Sequence, residues 1–139
     1  MKIILASHGS LADAMLKVLH MIMGNEDDVE SFCLDVYENP LALSGAVKKK
    51  IDEAGGTPVV LVCDIVSGSV FNHLLPLCSN TGVVLLTGMN LNLVLSLVNI
   101  QPKTEADFEE AVRDAKADIR FFNREILEKM KNENDADSF

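Results

Sequence analysis

Two short polar segments each follow an apolar run in the first half of the chain, and each carries a group able to do chemistry. Ser7-His8-Gly9-Ser10 follows the apolar run Lys2 to Ala6, and Asp64-Ile65-Val66-Ser67-Gly68-Ser69 follows the apolar run Pro58 to Cys63. A neutral imidazole offers one N–H and one lone pair. A carboxylate that accepts the N–H fixes the tautomer and leaves the other nitrogen free as a base or nucleophile. On this reading His8 is the reacting group and Asp64 its orienter. The competing reading of the two residues is a solvated loop histidine and a helix N-cap aspartate.

The elements around these segments decide whether the two can meet. Residues 2–6 and 58–63 are continuous apolar runs of the kind found in strands covered on both faces, and 58–63 is β-branched enough to be a central strand. Residues 29–36 and 82–87 read as two further strands. Between them, Leu11 to Met23 repeats apolar residues every three or four positions, with Ser10 placed to cap it and Gly24 to end it. Asn39-Pro40 opens a helix over 41–54 that Gly55-Gly56 stops, and further helices are expected at about 70–78, 91–98 and, as one long element, 104–131. The polar residues 132–139 read as a frayed tail, so the expected organisation is one domain over 1–131 and the tail.

Strands alternating with helices predict an α/β fold: three layers, α/β/α, around a mostly parallel, doubly wound sheet of flavodoxin-like order. In that order the ligand site lies between the carboxyl ends of the first and third strands, where His8 and Asp64 stand. Backbone N–H groups at Gly9, Ser10 and Leu11, and in the Ser67-Gly68-Ser69 loop, suit an anion such as phosphate. Neither segment holds a Lys or Arg; all three Arg (Arg113, Arg120, Arg124) come late, and no Lys lies between Lys50 and Lys103. Phosphatases and kinases clamp phosphoryl oxygens with cations or metal. A site built on backbone donors fits a carrier that accepts a phosphoryl group and hands it on.

Composition narrows the field. With 139 residues, 48% apolar and 24% charged, the chain can bury a core. Its net charge of −9 disfavours nucleic acid and anionic membrane as partners. No apolar run is long enough to span a bilayer, and the start is too short and too polar for a signal sequence, so a cytoplasmic location is expected. Cys33, Cys63 and Cys78 form an odd set without a CxxC spacing and read as reduced structural thiols. His20 and His73 sit within helices with no partner at ligand spacing, and the acidic stretch from Asn25 to Glu30 lacks the EF-hand pattern; no metal and no cofactor is expected.

Three segments carry a family resemblance: Ser7-His8-Gly9 after the first strand, Asp64-Ile65-Val66-Ser67-Gly68-Ser69-Val70-Phe71-Asn72 after the third, and Thr87-Gly88-Met89-Asn90-Leu91 after the fourth. In order and spacing they resemble the IIA component of the mannose/fructose family of bacterial sugar phosphotransferase systems. The resemblance implies that His8 accepts a phosphoryl group from the phosphocarrier HPr and passes it to a IIB partner. It further implies that Asp64 orients the imidazole and that Ser69 helps to hold the phosphate, with membrane IIC and IID components engaged only indirectly. It implies a homodimer as well, with residues 97–100 as a candidate exchanged edge strand. The family pattern has Gly-Gly-Ser-Pro where this chain has Ser67-Gly68-Ser69-Val70, and Asn-Leu-Pro-Met where it has Asn90-Leu91-Asn92-Leu93.

Other classes fit less well. Histidine phosphatases resemble Arg-His-Gly, and Ser7 stands at the Arg position. Response-regulator receivers place an acidic pair after the first strand, where this chain has Ser7-His8. A flavodoxin-like flavin module is hard to build with no Trp and one Tyr, Tyr37. The phosphotransfer subunit of a dihydroxyacetone kinase uses a similar domain and stays open as the alternative pathway, and the transported sugar has no signature in this chain.

Overall fold

A computed structural model describes residues 1–137. Four strands form one sheet: β1 (Lys2–Ser7), β2 (Val29–Cys33), β3 (Val59–Cys63) and β4 (Val83–Leu86), all parallel, in the order β2-β1-β3-β4. The helices are α1 (Leu11–Met23), α2 (Pro40–Glu53), α3 (Ser69–Leu74), α4 (Leu91–Ile100), α5 (Glu105–Ala117) and α6 (Arg124–Asp137). This is the three-layer α/β arrangement expected, with the order of the flavodoxin-like class.

Why β1 and β3 carry no polar alternation follows from what covers them. Ile3, Leu5, Val60 and Val62 point into a core completed by Leu19 of α1, Leu93 and Leu97 of α4 and Ala115 of α5. Their neighbours Ile4, Ala6, Leu61 and Cys63 point the other way, against Leu43 and Val47 of α2 and Val70 and Leu74 of α3. Both faces are dry, so successive residues must all be apolar. β1 lies between β2 and β3 with Ser7 opposite Cys33 and Ala6 opposite Cys63. The carboxyl ends of β1 and β3 are therefore adjacent.

Several boundaries differ from the sequence expectation for identifiable reasons. The second strand stops at Cys33 and continues as a 3-10 turn over Leu34–Val36, because β1 ends opposite it at Ser7 and supplies no further backbone to pair with. The helix expected at 70–78 is α-helical only over Ser69–Leu74 and tightens to a 3-10 turn at Leu75–Ser79, where Pro76 withholds its N–H. Residues 97–100, the candidate exchanged strand, are the last turn of α4. The single helix expected over 104–131 is two: α5 ends at Ala117, residues 119–123 are irregular, and Asn123 restarts the chain by accepting the Ile126 N–H with its Oδ1 at 3.0 Å. Of the Arg residues placed in that helix, Arg113 is in α5, Arg120 in the connector and Arg124 in α6. The tail read as frayed from residue 132 is helical through Asp137; residues 138 and 139 lie outside the described residues. The thiols of Cys33, Cys63 and Cys78 are unpaired, and burial pushes all three up, Cys63 to about 11.

Candidate functional site

The turn after β1 is set by two residues. Ser7 is fully buried, and its Oγ accepts the Ala12 N–H at 2.8 Å, fastening the first turn of α1 to the end of the strand. Ser10, expected to cap α1, occupies the N-cap position without a side-chain hydrogen bond; the strand serine takes that role across a longer loop. Gly9 between them has φ +54, a left-handed conformation that reverses the chain at little cost for glycine. His8 is thereby presented at the carboxyl edge of the sheet with 43% of its side chain exposed.

Asp64 follows β3 directly and is largely covered, with 10% of its side chain exposed. Its Oδ2 accepts the His8 backbone N–H at 2.9 Å and faces the His8 Nδ1 at 2.8 Å, while Oδ1 accepts the Ile65 N–H at 3.0 Å. Burial pushes the Asp64 carboxyl up. The two hydrogen bonds from His8, the N–H of Ile65 and the charge the ring carries when protonated outweigh that and hold it below the usual carboxylate range. An ionised carboxylate can only accept, so Nδ1 carries a proton, and in the neutral ring Nε2 carries the lone pair. Nε2 faces the Ser69 Oγ at 3.1 Å, and the hydroxyl donates to it.

The structure thus brings His8, Asp64 and Ser69 into one hydrogen-bonded line, with Gly68 against the ring. Gly9 and Ser10 follow His8, and their N–H groups have no partner among the described residues. Ser67 is exposed and adopts φ +63, the conformation for which the resembling motif carries glycine. Val70, at the motif's proline position, is fully buried in α3, and Asn92, at the other, donates to Asp118 Oδ2 at 2.8 Å. Thr87 to Asn90 reach the same edge, where Met89 N–H bonds the Cys63 carbonyl at 3.1 Å and Asn90 caps α4 through Leu93 N–H at 2.8 Å. Sequence reasoning missed Ser7 and Ile65. A serine closing a strand whose other neighbours are apolar was the available signal for the first; no signal marked the second.

His20 and His73 stay outside the line; His73 Nδ1 donates to the Ser69 carbonyl at 2.8 Å, one helical turn back. Among the described residues no group of three His, Cys, Asp or Glu is gathered for a metal, and no helix is long and apolar enough to cross a membrane. A groove of about 670 Å³ lies elsewhere, between the free edge of β4 and α5.

Chemically, the arrangement provides an exposed nucleophilic nitrogen of defined tautomer, a buried anion to stabilise positive charge on the ring, and a hydroxyl beside the nitrogen. The family model described as PTS system fructose IIA component matches residues 2–116. A protein from Klebsiella pneumoniae subsp. pneumoniae MGH 78578, assigned to a phosphoenolpyruvate-dependent sugar phosphotransferase system permease, is 29% identical with a TM-score of 0.80, over 90% of this chain and 93% of that one. The PTS IIA protein associated with the fucose utilization operon of Streptococcus pneumoniae is 28% identical with a TM-score of 0.71, over 88% and 91%. The mannose/sorbose specific IIA subunit of Enterococcus faecalis shares the fold at 21% identity, TM-score 0.70, over 88% and 94%. No curated protein sequence matches the chain significantly. With a family model spanning most of its length, the chain belongs to the fructose/mannose-class IIA components of the sugar phosphotransferase system.

Proposed function

We propose that this protein is a cytoplasmic phosphoryl carrier that receives a phosphoryl group on His8 from phospho-HPr and delivers it to a IIB component for sugar uptake. The observation that carries the reading is the placement of the His8 ring, with Nδ1–H held by Asp64 and Nε2 exposed toward Ser69. The Nε2 lone pair attacks phosphorus as the donor's P–N bond breaks, and the bonding electron pair leaves on the donor imidazole. Positive charge builds on the His8 ring, and the Asp64 carboxylate is already in place to stabilise it. The Ser69 hydroxyl, which donates to Nε2 at rest, swings to a phosphoryl oxygen, and the N–H groups of Gly9, Ser10, Ser67, Gly68 and Ser69 are the candidate donors to the others. Delivery to IIB is the same displacement in reverse.

The loops at this edge, 7–13, 34–41, 64–72 and 87–92, hold Asp13, Asp35, Glu38 and Asp64 and no Lys or Arg. Such a face suits partners with basic docking surfaces. Homodimer formation is part of the proposal, through a segment other than residues 97–100. The free edge of β4 borders the groove lined by Val84, Leu86, Phe108 and Val112, while Ile119 and Phe121, in the irregular connector, are 76% and 74% exposed. Pairing of residues 119–122 from a second copy along β4 covers both. Incubation with phosphoenolpyruvate, enzyme I and HPr is expected to give an acid-labile, base-stable adduct on His8. An adduct that survives His8→Ala contradicts the proposal.

A further inference from the structure

We infer that Gly68 is a positioning residue for His8, and that the site needs the absence of its side chain rather than its backbone freedom. The inference rests on the reading of His8 as the phosphoryl acceptor. Gly68 has φ −82 and ψ 171, an extended conformation that any residue adopts. Glycine is therefore not demanded by the turn. A Cβ built at Gly68, however, lies 3.2 Å from His8 Cε1 and 3.1 and 3.3 Å from Ile65 Cγ1 and Cδ1. A Cβ at any of the other seven glycines meets nothing closer than the 3.8 Å contact at Gly82, so crowding of this kind is particular to the position beside the reacting ring.

The geometry of the imidazole makes the contact consequential. Cε1 lies between the two nitrogens, and each nitrogen is held from the same short segment: Nδ1 by Asp64 Oδ2 at 2.8 Å and Nε2 by Ser69 Oγ at 3.1 Å. Asp64 and Ser69 thus bracket the ring, and a Cβ at Gly68 meets the carbon between the two nitrogens. A methyl group at position 68 must move something. Ile65 is 56% exposed, and its side-chain end can turn into solvent. The ring cannot yield in that way without stretching or bending the hydrogen bonds on either side, which weaken steeply with misalignment. Displacement of a reacting atom by tenths of an ångström is expected to slow transfer about tenfold, since about 1 Å can cost a hundredfold.

The test combines NMR with kinetics. In the unmodified protein, the Gly68 Hα protons should show a nuclear Overhauser effect to His8 Hε1. In Gly68→Ala, the His8 ring nitrogen shifts should move away from a pure Nδ1–H tautomer. Its kcat for transfer from phospho-HPr should fall about tenfold with KM little changed. Adding Ile65→Ala should not restore either. Native ring shifts and native kcat in Gly68→Ala, or full rescue by Ile65→Ala, overturn the inference. If Gly68→Ala does not fold, absence of the Overhauser effect in the unmodified protein overturns it instead. The NMR readouts need no phosphoryl donor, so the Overhauser effect and displaced Gly68→Ala ring shifts, found for a protein that is never phosphorylated, would sink the carrier reading while leaving the role of Gly68 intact.

Discussion

Asp64→Asn separates the orienting role of the carboxylate from its bulk. In the native protein one carboxylate accepts three N–H groups, two from His8 on Oδ2 and one from Ile65 on Oδ1. Asparagine has the same shape but a single acceptor oxygen. If that oxygen faces His8, the amide NH2 is set against the Ile65 N–H, donor to donor. If it faces Ile65, the NH2 is set against the His8 backbone N–H, and the ring must present a lone pair at Nδ1, moving its proton to Nε2. Either choice loses a charge-assisted hydrogen bond worth roughly 1.5–3 kcal/mol. To the extent that this energy holds the reactive tautomer and rotamer, transfer slows by about 10- to 150-fold at roughly 1.4 kcal/mol per tenfold. The assay is the initial rate of phosphoryl transfer from labelled phospho-HPr by rapid quench, with circular dichroism as a check of the fold. A rate within twofold of the unmodified protein refutes the orienting role of Asp64.

Other consequences are quickly stated. Because Asp64 has a depressed carboxyl in the fold, its stabilising contribution is complete above the unfolded value of about 3.9 and is lost as pH falls through the lower folded value; Asp64→Asn should flatten the acid limb of a stability-against-pH curve below about pH 4, and an unchanged limb contradicts this. Ser67→Gly relieves a left-handed serine at roughly 1–2 kcal/mol and gives back roughly 0.4–1 kcal/mol of unfolded-state entropy, so denaturant melts should show stability unchanged or raised by about 1 kcal/mol. A clear loss would mean that the Ser67 side chain supports the loop. Leu61→Ala, at a position with no exposure in the sheet centre, should cost about 2–5 kcal/mol in the same melts. Raising salt should slow transfer if the acidic edge steers a basic partner, and salt-independent rates would reduce the −9 charge to a solubility feature.

How much of this was legible in the sequence depends on whether local pattern or tertiary context decides each feature. The α1 boundaries were readable to the residue because its apolar spacing and Gly24 are local signals. The adjacency of His8 and Asp64, far apart in sequence, was readable because two dry strands in a doubly wound order leave only one place for their ends to meet. The break between α5 and α6 was not, since Phe108, Val112, Ala115, Ile119 and Phe122 continue a helical stripe through it, and only the capping by Asn123 marks the restart. Likewise, residues 97–100 are apolar enough for a strand, but Leu97 and Val98 are buried in the core as the end of α4. The N-cap assigned to Ser10 went to Ser7 because a buried strand-end hydroxyl can reach the helix only once the turn at Gly9 is formed.

The nitrogen that carries the phosphoryl group is the most direct test of the account, because it depends on which ring atom Asp64 occupies. Phosphorylate the protein labelled with ¹⁵N-histidine through enzyme I and HPr, and read the phosphorus–nitrogen coupling by NMR. The geometry predicts coupling to Nε2 of His8, with Nδ1–H retained against Asp64. Coupling to Nδ1 of His8, or to a ring nitrogen of His20 or His73, contradicts it.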